Sequence, residues 1–334
     1  MINNALFIAW EQHRRSQTLT ARLGLKPMLW QSNKHRLVKY PLFIFRTIFL
    51  LMKERPRVLF VQNPSLVLAY LALLTRPMFR YYLVVDAHNV GVVWYEKGRC
   101  FFQQLLNILH RRADMTIVTN KSLAEIVKKN RGTVFILPDS IPELNYTGTS
   151  LKNDSEAEKF IVTFICTFAS DEPYLSVFEA AKDLPDDIII FITGDVSKVG
   201  GAEQFACGHN VVFKGFLPEL EYINLLGNSN CIIDLTTRDD CLVCGAYEAL
   251  SLGIPMVLSN TVATKDLFSL GTVYTDLDPI NISNAILKVK RDYKKLQHDV
   301  LKLRNDLQNN WQIQSENLQK EIQIKYTKKK GNNL

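Results

Sequence analysis

The sequence predicts an α/β protein with two doubly wound parallel sheets. Short apolar, β-branched runs recur along the chain with helical patterns between them, which is typical of parallel strands buried on both faces. The runs form two series, separated by a polar, turn-rich stretch over 138–158. A length of 334 residues exceeds one ordinary core and fits two domains of roughly 150 residues each.

The first series predicts strands at 6–10, 58–62, 83–86, 116–119 and 134–137. The second predicts strands at 161–167, 188–193, 211–213, 231–235, 256–259 and 272–274. We place the domain boundary near residue 155, which divides the chain into an N-terminal domain, 1–155, and a C-terminal domain, 156–300. Helices over 301–334 are expected to pack back toward the first domain and to end in a frayed tail.

The net charge of +7 is concentrated at the N-terminal end of the chain. Residues 1–57 hold eleven Lys or Arg against Glu11 and Glu54, so this segment carries +9 and the remainder −2. This asymmetry favours contact with an anionic membrane surface or a phosphate-bearing acceptor, and a solvated basic surface is the alternative. No recognition helix or aromatic RNA motif accompanies it, so nucleic acid is not an expected partner.

The cysteines are scattered and no secretory signal precedes them, which favours a reducing, cytoplasmic location. The most apolar run, 42–52, contains Arg46 and is too short to span a bilayer, which needs roughly twenty apolar residues. It is expected either to lie at a membrane interface, which would make the protein peripheral, or to pack on its own sheet.

The densest chemical pattern lies at 235–255, where a strand leads into a polar loop and then into a helix that Gly253 and Pro255 end. Backbone N–H groups at that helix start, with the positive end of the helix dipole, suit a diphosphate. The residues expected to offer them are Cys241, Leu242, Val243, Cys244 and Gly245. Glu248 follows in the first turns, where a carboxylate can accept both hydroxyls of a ribose. A capped amphipathic helix with incidental acids is the alternative interpretation.

Asp240-x7-Glu248, followed by Ala-Leu-Ser-Leu-Gly-Ile-Pro, resembles the Glu-x7-Glu signature of retaining GT-B glycosyltransferases, especially family four, the group 1 glycosyl transferases. The resemblance implies two Rossmann-like domains facing a cleft, with the acceptor side in 1–155 and the nucleotide-sugar site in 156–300. It also implies that Glu248 binds the donor ribose and that Asp240 lies by the transferred sugar. Asp in place of the first Glu shortens the reach, and Asp239 is an alternative.

Further candidates follow other predicted strands. His88 comes directly after a buried strand and resembles a histidine that contacts the donor sugar in related enzymes, although a lone histidine is more often structural. Gly215 and Phe216 resemble an element that walls the nucleotide pocket. Lys214 and Arg238 are candidates for neutralising the diphosphate, because the loop at 167–173 lacks the Arg and Lys usual in the family.

After the first strand, a polar, basic loop suits an acceptor that carries phosphate or an acidic sugar, and ordinary helix-start residues are the alternative. Its candidate acceptor-binding residues are Glu11, His13, Arg14 and Arg15. Asp276 and Asp278 have the spacing of a metal-binding pair, and Cys241 and Cys244 the spacing of a zinc pair, but neither context supports a metal. No metal and no redox cofactor is therefore expected.

These observations together predict a metal-independent hexosyltransferase that moves a sugar from a UDP- or GDP-sugar to a saccharide or lipid-linked saccharide. The resemblance implies retention of configuration and a place in bacterial surface polysaccharide or glycan assembly. A nucleotide-sugar epimerase of the same shape and a non-catalytic nucleotide-sugar-binding protein are the alternatives.

Overall fold

A computed structural model describes residues 4–11, 13–95, 100–148, 159–201, 205 and 208–331. The chain divides into two units. Unit 1 comprises Met1–Ser140 together with Asn310–Leu334, and unit 2 comprises Ile141–Asn309. The boundary expected near residue 155 falls outside the described residues.

The sheet of unit 1 has six parallel strands in the order β2-β1-β3-β4-β5-β6. They are β1 (Ala5–Ala9), β2 (Lys26–Leu29), β3 (Val58–Asn63), β4 (Tyr82–Ala87), β5 (Met115–Val118) and β6 (Val134–Ile136). β3, β4 and β5 are buried along their whole length, which explains their continuous apolar sequences.

Strand β2 was not expected from the sequence. It has only four residues, includes Pro27, and exposes Lys26 and Pro27 to solvent. Proline is tolerated there because β2 is an edge strand, where an unpaired N–H position faces solvent. Its sequence therefore lacks the apolar signal that marks the central strands.

Helices cover both faces of this sheet. They are α1 (Arg14–Leu23), α2 (Arg36–Glu54), α3 (Leu66–Phe79), α4 (Asn89–Val92), α5 (Cys100–Arg112) and α6 (Lys121–Lys129). α2, α3, α5 and α6 share one apolar cluster with the sheet. On the other face lie Leu19 and Leu23 of α1 together with Trp311, Leu318 and Ile322. The last three belong to the end of a 39-residue helix that begins in unit 2.

Unit 2 has a second parallel sheet of six strands in the order β12-β11-β10-β7-β8-β9. The strands are β7 (Phe160–Phe164), β8 (Ile188–Thr193), β9 (Val211–Gly215), β10 (Cys231–Asp234), β11 (Met256–Ser259) and β12 (Thr272–Thr275). The helices are α7 (Tyr174–Lys182), α8 (Glu219–Gly227), α9 (Cys244–Leu252), α10 (Val262–Leu267), α11 (Pro279–Arg291) and α12 (Tyr293–Gly331). All strands of each sheet run parallel, so their carboxyl ends meet at one edge, where open α/β sheets bind ligands. Within the described ranges, no helix combines the length and apolarity needed to cross a bilayer.

Candidate functional site

Helix α9 begins at the carboxyl edge of the second sheet, after the loop that follows β10. Val243 occupies its N-cap, and its apolar side chain makes no capping hydrogen bond. The helix ends at Gly253, whose φ of +71° is the left-handed conformation that glycine adopts readily. α9 therefore starts without a hydrogen bond from its own N-cap side chain, at the edge where ligands of this architecture bind.

Glu248 lies one turn into α9 and only 7% of its surface is exposed. Its Oε2 accepts a hydrogen bond of 2.5 Å from the hydroxyl of Tyr222 on α8. A buried carboxylate held by a phenol has a defined orientation, because one oxygen has a fixed partner. The sequence singled out Glu248 but not Tyr222, which lies 26 residues earlier.

A second buried carboxyl group, Asp234, stands behind the helix start and was also missed. Its Oδ2 accepts from the backbone N–H of Gly245 at 2.8 Å. A Cβ at position 245 would lie 2.5 Å from that oxygen, so only glycine fits. Burial raises the pKa of Asp234 well above its ordinary value, and the charges of Glu248, Glu172 and Asp171 act in the same direction. This corrects the expectation for Gly245, because its N–H already has an acceptor within the protein.

The rest of the α9 start divides into packed and accessible residues. Leu242 and Val243 are buried in an apolar cluster, so only their backbone is available to a ligand. Asp240 is half-buried, and its neighbour Asp239 is exposed. Cys244 is exposed. The Cys241 thiol is half-buried, and burial with nearby carboxylates raises its pKa to about 12, so it stays protonated at neutral pH.

Two acidic residues fix the loop after β7 through hydrogen bonds and an ion pair. Glu172 accepts from the backbone N–H groups of Thr167 and Ala169 at 2.8 and 3.0 Å. Asp171 pairs with Arg238, with 3.1 Å between its Oδ1 and Nη2, so part of the Arg238 charge is already compensated. These contacts join the loops that follow β7 and β10, two neighbouring strands.

Lys198 brings a further cation to the same edge. It lies in a short 3-10 helix, Val196–Val199, after β8, and its ammonium group donates to the carbonyl of Thr167 at 3.3 Å. The loop after β7 contains no Lys or Arg of its own. A neighbouring strand thus supplies the cation that this loop lacks.

Strand β9 ends in three candidate residues with different surroundings. The ammonium group of Lys214 lies 3.9 Å from the ring centroid of the buried Phe191, a cation–π contact. Gly215 has φ of +71°, and no atom approaches the position of a Cβ within 4 Å. Phe216 is 85% exposed. An open turn followed by an exposed aromatic ring offers a stacking surface for a flat ligand.

In unit 1, the expectation for Arg15 was wrong. The side chain was expected to meet an anionic acceptor, but it is 3% exposed and lies among carboxylates. Its Nη2 donates to Asp86 at 2.8 Å and to the Leu137 carbonyl at 3.1 Å, and its Nη1 donates to Asp139. Burial alone would lower the pKa of Arg15, but the two carboxylates outweigh it and raise the pKa. Arg15 thus joins the ends of β1, β4 and β6 from inside the protein.

His88 lies above this ion pair at the end of β4. Burial lowers its pKa to about 4, although Asp86 opposes the shift, so the ring is neutral at pH 7. Its Nε2 is buried, lies 4.0 Å from Asp86, and has no hydrogen-bond partner among the described residues. The His13 ring packs edge-on against it, with centroids 4.3 Å apart. A neutral ring nitrogen without a partner can accept a hydrogen bond from a hydroxyl that reaches it.

The remaining acceptor candidates differ in their surroundings. His13 caps α1, because its Nδ1 accepts from the N–H of Arg15 at 3.2 Å. Glu11 and Arg14 are both exposed. The structure therefore brings His13, Arg15 and His88 together, and leaves Glu11 and Arg14 in solvent.

The aspartate pair considered for a metal has structural partners. Asp278 caps α11, where its side chain accepts from the N–H of Asn281 at 3.0 Å. Asp276 accepts from Asn260 at 2.9 Å. Among the described residues, no three His, Cys, Asp or Glu side chains converge in a group that could hold a metal ion.

Solved structures of low sequence identity share this arrangement of two parallel sheets. Sucrose-phosphate synthase from Thermosynechococcus elongatus superposes with a TM-score of 0.77 at 13% identity, covering 96% of this chain and 99% of that one. Anabaena Alr3699/HepE in complex with UDP-glucose gives 0.71 at 11% identity, covering 94% and 99%. The chain has the GT-B fold. No family model matches the sequence, and no curated protein matches it significantly.

Other GT-B structures extend the comparison. A glycosyltransferase from Rickettsia africae gives a TM-score of 0.71 at 11% identity, with 95% of this chain and 98% of that one covered. A structure described as a UDP-N-acetylglucosamine 2-epimerase from Listeria monocytogenes gives 0.58 at 12%, with 90% and 92% covered. Sequence reasoning missed five residues near these sites: Tyr222, Asp234, Lys198, Asp139 and Asp86. Each of them makes a hydrogen bond to a residue at least 11 positions away in the sequence.

Proposed function

We propose that the chain is a glycosyltransferase that moves a sugar from a nucleoside diphosphate sugar to a saccharide or lipid-linked saccharide. The observation that carries this proposal is the buried Glu248, which Tyr222 orients in α9, a helix whose N-cap side chain makes no hydrogen bond. The GT-B fold supports it, because HepE, which shares the fold, is in complex with UDP-glucose. The family resemblance further implies retention of configuration and a role in surface polysaccharide or glycan assembly.

In unit 2 we assign the donor site. Glu248, held by Tyr222, accepts the ribose hydroxyls, and the backbone at 242–244 meets the diphosphate. The N–H of Cys241 already donates to the Arg238 carbonyl at 3.3 Å. Lys198, Lys214 and Arg238 supply positive charge at the same sheet edge. Phe216 offers its exposed ring to the base, and Asp240 stands by the transferred sugar.

In unit 1 we assign the residues that meet the reacting sugars. Neutral His88 offers its unpaired Nε2 to a sugar hydroxyl, and His13 limits the orientation of the ring. Glu11, in the loop after β1, and Arg14, at the start of α1, are exposed and meet the acceptor. The buried Arg15 acts indirectly, because it fixes Asp86, which lies beneath His88. The basic N-terminal segment favours an acceptor at an anionic membrane, on the cytoplasmic side.

Ligand-dependent thermal shifts test the donor assignment, because a ligand that binds only the native state raises the apparent melting temperature. UDP and GDP, with and without a sugar, should raise it in wild type. Turnover with the responding donor should then release nucleoside diphosphate only when an acceptor is added, and it should persist in EDTA. Absence of any shift with all nucleoside diphosphates would overturn the proposal.

An epimerase is the second candidate, favoured by the structural likeness to the Listeria protein. The TM-score of that pair is lower than the values for sucrose-phosphate synthase and HepE, so we place transfer first. An isomerised donor sugar, formed without an acceptor, would decide for the epimerase.

A further inference from the structure

Helix α2 carries apolar side chains on two opposite faces. Phe43, Thr47 and Leu51, each four residues apart, are buried against the sheet. Phe45 and Phe49 lie about 200° around the helix from Phe43 and Thr47, at 100° per residue. They are 72% and 57% exposed. Val38 and Met52, on the same side, are 53% and 50% exposed. A helix of a water-soluble domain usually has polar residues on this side.

The neighbouring helix α3 repeats the pattern. It buries Leu68, Ala69 and Ala72 in the same apolar cluster that receives α2. On its opposite side, Leu74 and Met78 are 74% and 65% exposed. We call the exposed apolar side chains of α2 and α3 described above the outer face. Two adjacent helices thus each expose apolar side chains, and such a grouping on the surface of a folded protein indicates an interaction site.

Basic residues border the outer face. Lys39, Arg46 and Lys53 are seven residues apart and form one stripe along α2, next to Phe45 and Phe49. The sequences of α2 and α3 contain one acidic residue, Glu54, whose carboxylate binds Lys26 at 2.9 Å. The outer face is therefore apolar with a positive border and without acidic residues.

This charge pattern distinguishes between two binding partners of the outer face, a second copy of the chain and a lipid bilayer. A second copy packed symmetrically on the outer face would bring like basic stripes together, which is unfavourable. An anionic bilayer accommodates both features, because apolar side chains enter the boundary between headgroups and acyl chains while Lys and Arg meet the headgroups. We infer that the outer face of α2 and α3 docks the protein on an anionic lipid surface.

Docking does not depend on the proposed glycosyl transfer, so the two can fail separately. The experiment is flotation of the full chain with vesicles of phosphatidylcholine alone or with about a third of phosphatidylglycerol. Wild type should float with the anionic vesicles at low salt, release at about 0.5 M salt, where screening is short-ranged, and ignore the neutral vesicles. Wild type that stays at the bottom of the gradient with anionic vesicles at low salt overturns the inference.

Matched variants distinguish binding through the outer face from non-specific binding elsewhere on the protein surface. Phe45→Ser with Phe49→Ser should reduce the lipid partition coefficient at least tenfold, and Arg46→Gln with Lys53→Gln several-fold. Leu175→Ser with Ile280→Ser, at residues 55% and 67% exposed in unit 2, should leave it unchanged. So should Lys128→Gln with Lys129→Gln on α6, which removes the same charge. Circular dichroism should show all four proteins folded, since every changed side chain is exposed.

Two results would contradict the inference even if wild type binds vesicles. One is an equal loss of vesicle binding in the Lys128/Lys129 and Arg46/Lys53 variants, which would show that binding depends on the net charge of the protein and not on the outer face. The other is full binding by the Phe45/Phe49 variant. If that variant instead abolishes an oligomer seen by sedimentation, with no vesicle binding by wild type, the outer face contacts a second copy and lipid docking is wrong.

Discussion

The hydroxyl of Tyr222 donates a 2.5 Å hydrogen bond to Glu248 Oε2, which links α8 to the second turn of α9. The bond restricts the direction of the Glu248 carboxylate. In the donor site that we propose, α8 thus orients a residue of α9.

Replacing Glu248 by Ala should weaken nucleoside diphosphate binding by about 1.5–3 kcal/mol, or about 10- to 150-fold in Kd, because a charged acceptor is lost. Tyr222→Phe keeps the carboxylate but removes its partner, and should cost less, about two- to tenfold. Calorimetric titration measures both, with Glu179→Ala on α7 as the control. Equal affinity in wild type and Glu248→Ala would show that Glu248 is not a ligand of the nucleotide.

Lys198→Ala should raise the Kd for a nucleoside diphosphate about fivefold while leaving the affinity for the uncharged nucleoside unchanged. The reason is that the Lys198 ammonium stands beside the loop after β7, which has no cation of its own. Lys182→Ala, on the exposed side of α7, is the matched control. An equal loss of nucleoside affinity would indicate a structural effect rather than a charge effect.

Arg15→Met should destabilise the protein by about 3–5 kcal/mol, because it leaves the carboxylates of Asp86 and Asp139 without their shared cation. Adding Asp86→Asn to this variant should restore part of the loss, since one of the two unpaired charges is then gone. Denaturant unfolding gives both free energies. The exposed Arg46→Met should change stability by less than about 0.5 kcal/mol. No recovery in the double variant would mean that packing, not charge, dominates at Arg15.

His110 makes stability depend on pH. It is fully buried and its Nε2 donates to the Gly91 carbonyl at 3.0 Å, so Nδ1 accepts from Thr116 at 3.2 Å and the ring is neutral. Burial lowers its pKa to about 4, below an unfolded value near 6.5. The unfolded chain therefore binds the proton first, and stability is lost as the pH falls from about 6.5 toward 4.

Between pH 7 and 5, wild type should lose about 2 kcal/mol more of its free energy of unfolding than His110→Gln does. Chemical denaturation at both pH values measures the difference. His88 titrates in the same direction in both proteins, so it cancels in the comparison. Identical pH dependence in the two proteins would contradict the lowered pKa of His110.

Asp234→Asn should make the protein more stable at pH 8, and the gain should shrink as the pH falls toward 5. Burial raises the pKa of Asp234 above its unfolded value, so the wild type is penalised for ionising this group as the pH rises. The amide oxygen can still accept from the Gly245 N–H. Asp234→Ala removes that acceptor as well, so it should be about 1–3 kcal/mol less stable than Asp234→Asn at every pH. A gain in Asp234→Asn that does not vary with pH would contradict the raised pKa.

The fold was predictable because buried parallel strands have continuous apolar sequences. Ten of the eleven expected strands match an observed strand within about two residues at each end. The eleventh was expected at 161–167, whereas the observed strand β7 is Phe160–Phe164 and so ends three residues earlier. Edge strand β2, with its exposed lysine and proline, has no such pattern. Helix α9 was predictable for a related reason. Gly253 and Pro255 mark its C-terminal end, and an apolar strand precedes it in the sequence.

The sequence by itself determined the two series of strands, the positions of Glu248 and His88 after them, and the basic, apolar character of α2. These properties are local, because each depends on residues within one element or one turn. Only the tertiary structure decided that Arg15 is buried against Asp86 and Asp139, that Asp234 occupies the Gly245 N–H, and that Tyr222 orients Glu248. Those pairs are 11 to 124 residues apart, and their partners become neighbours only when parallel strands bring their carboxyl ends to one edge. Local sequence periodicity carries no information about such a distance, so the polar partners of a site are the part that folding itself must reveal.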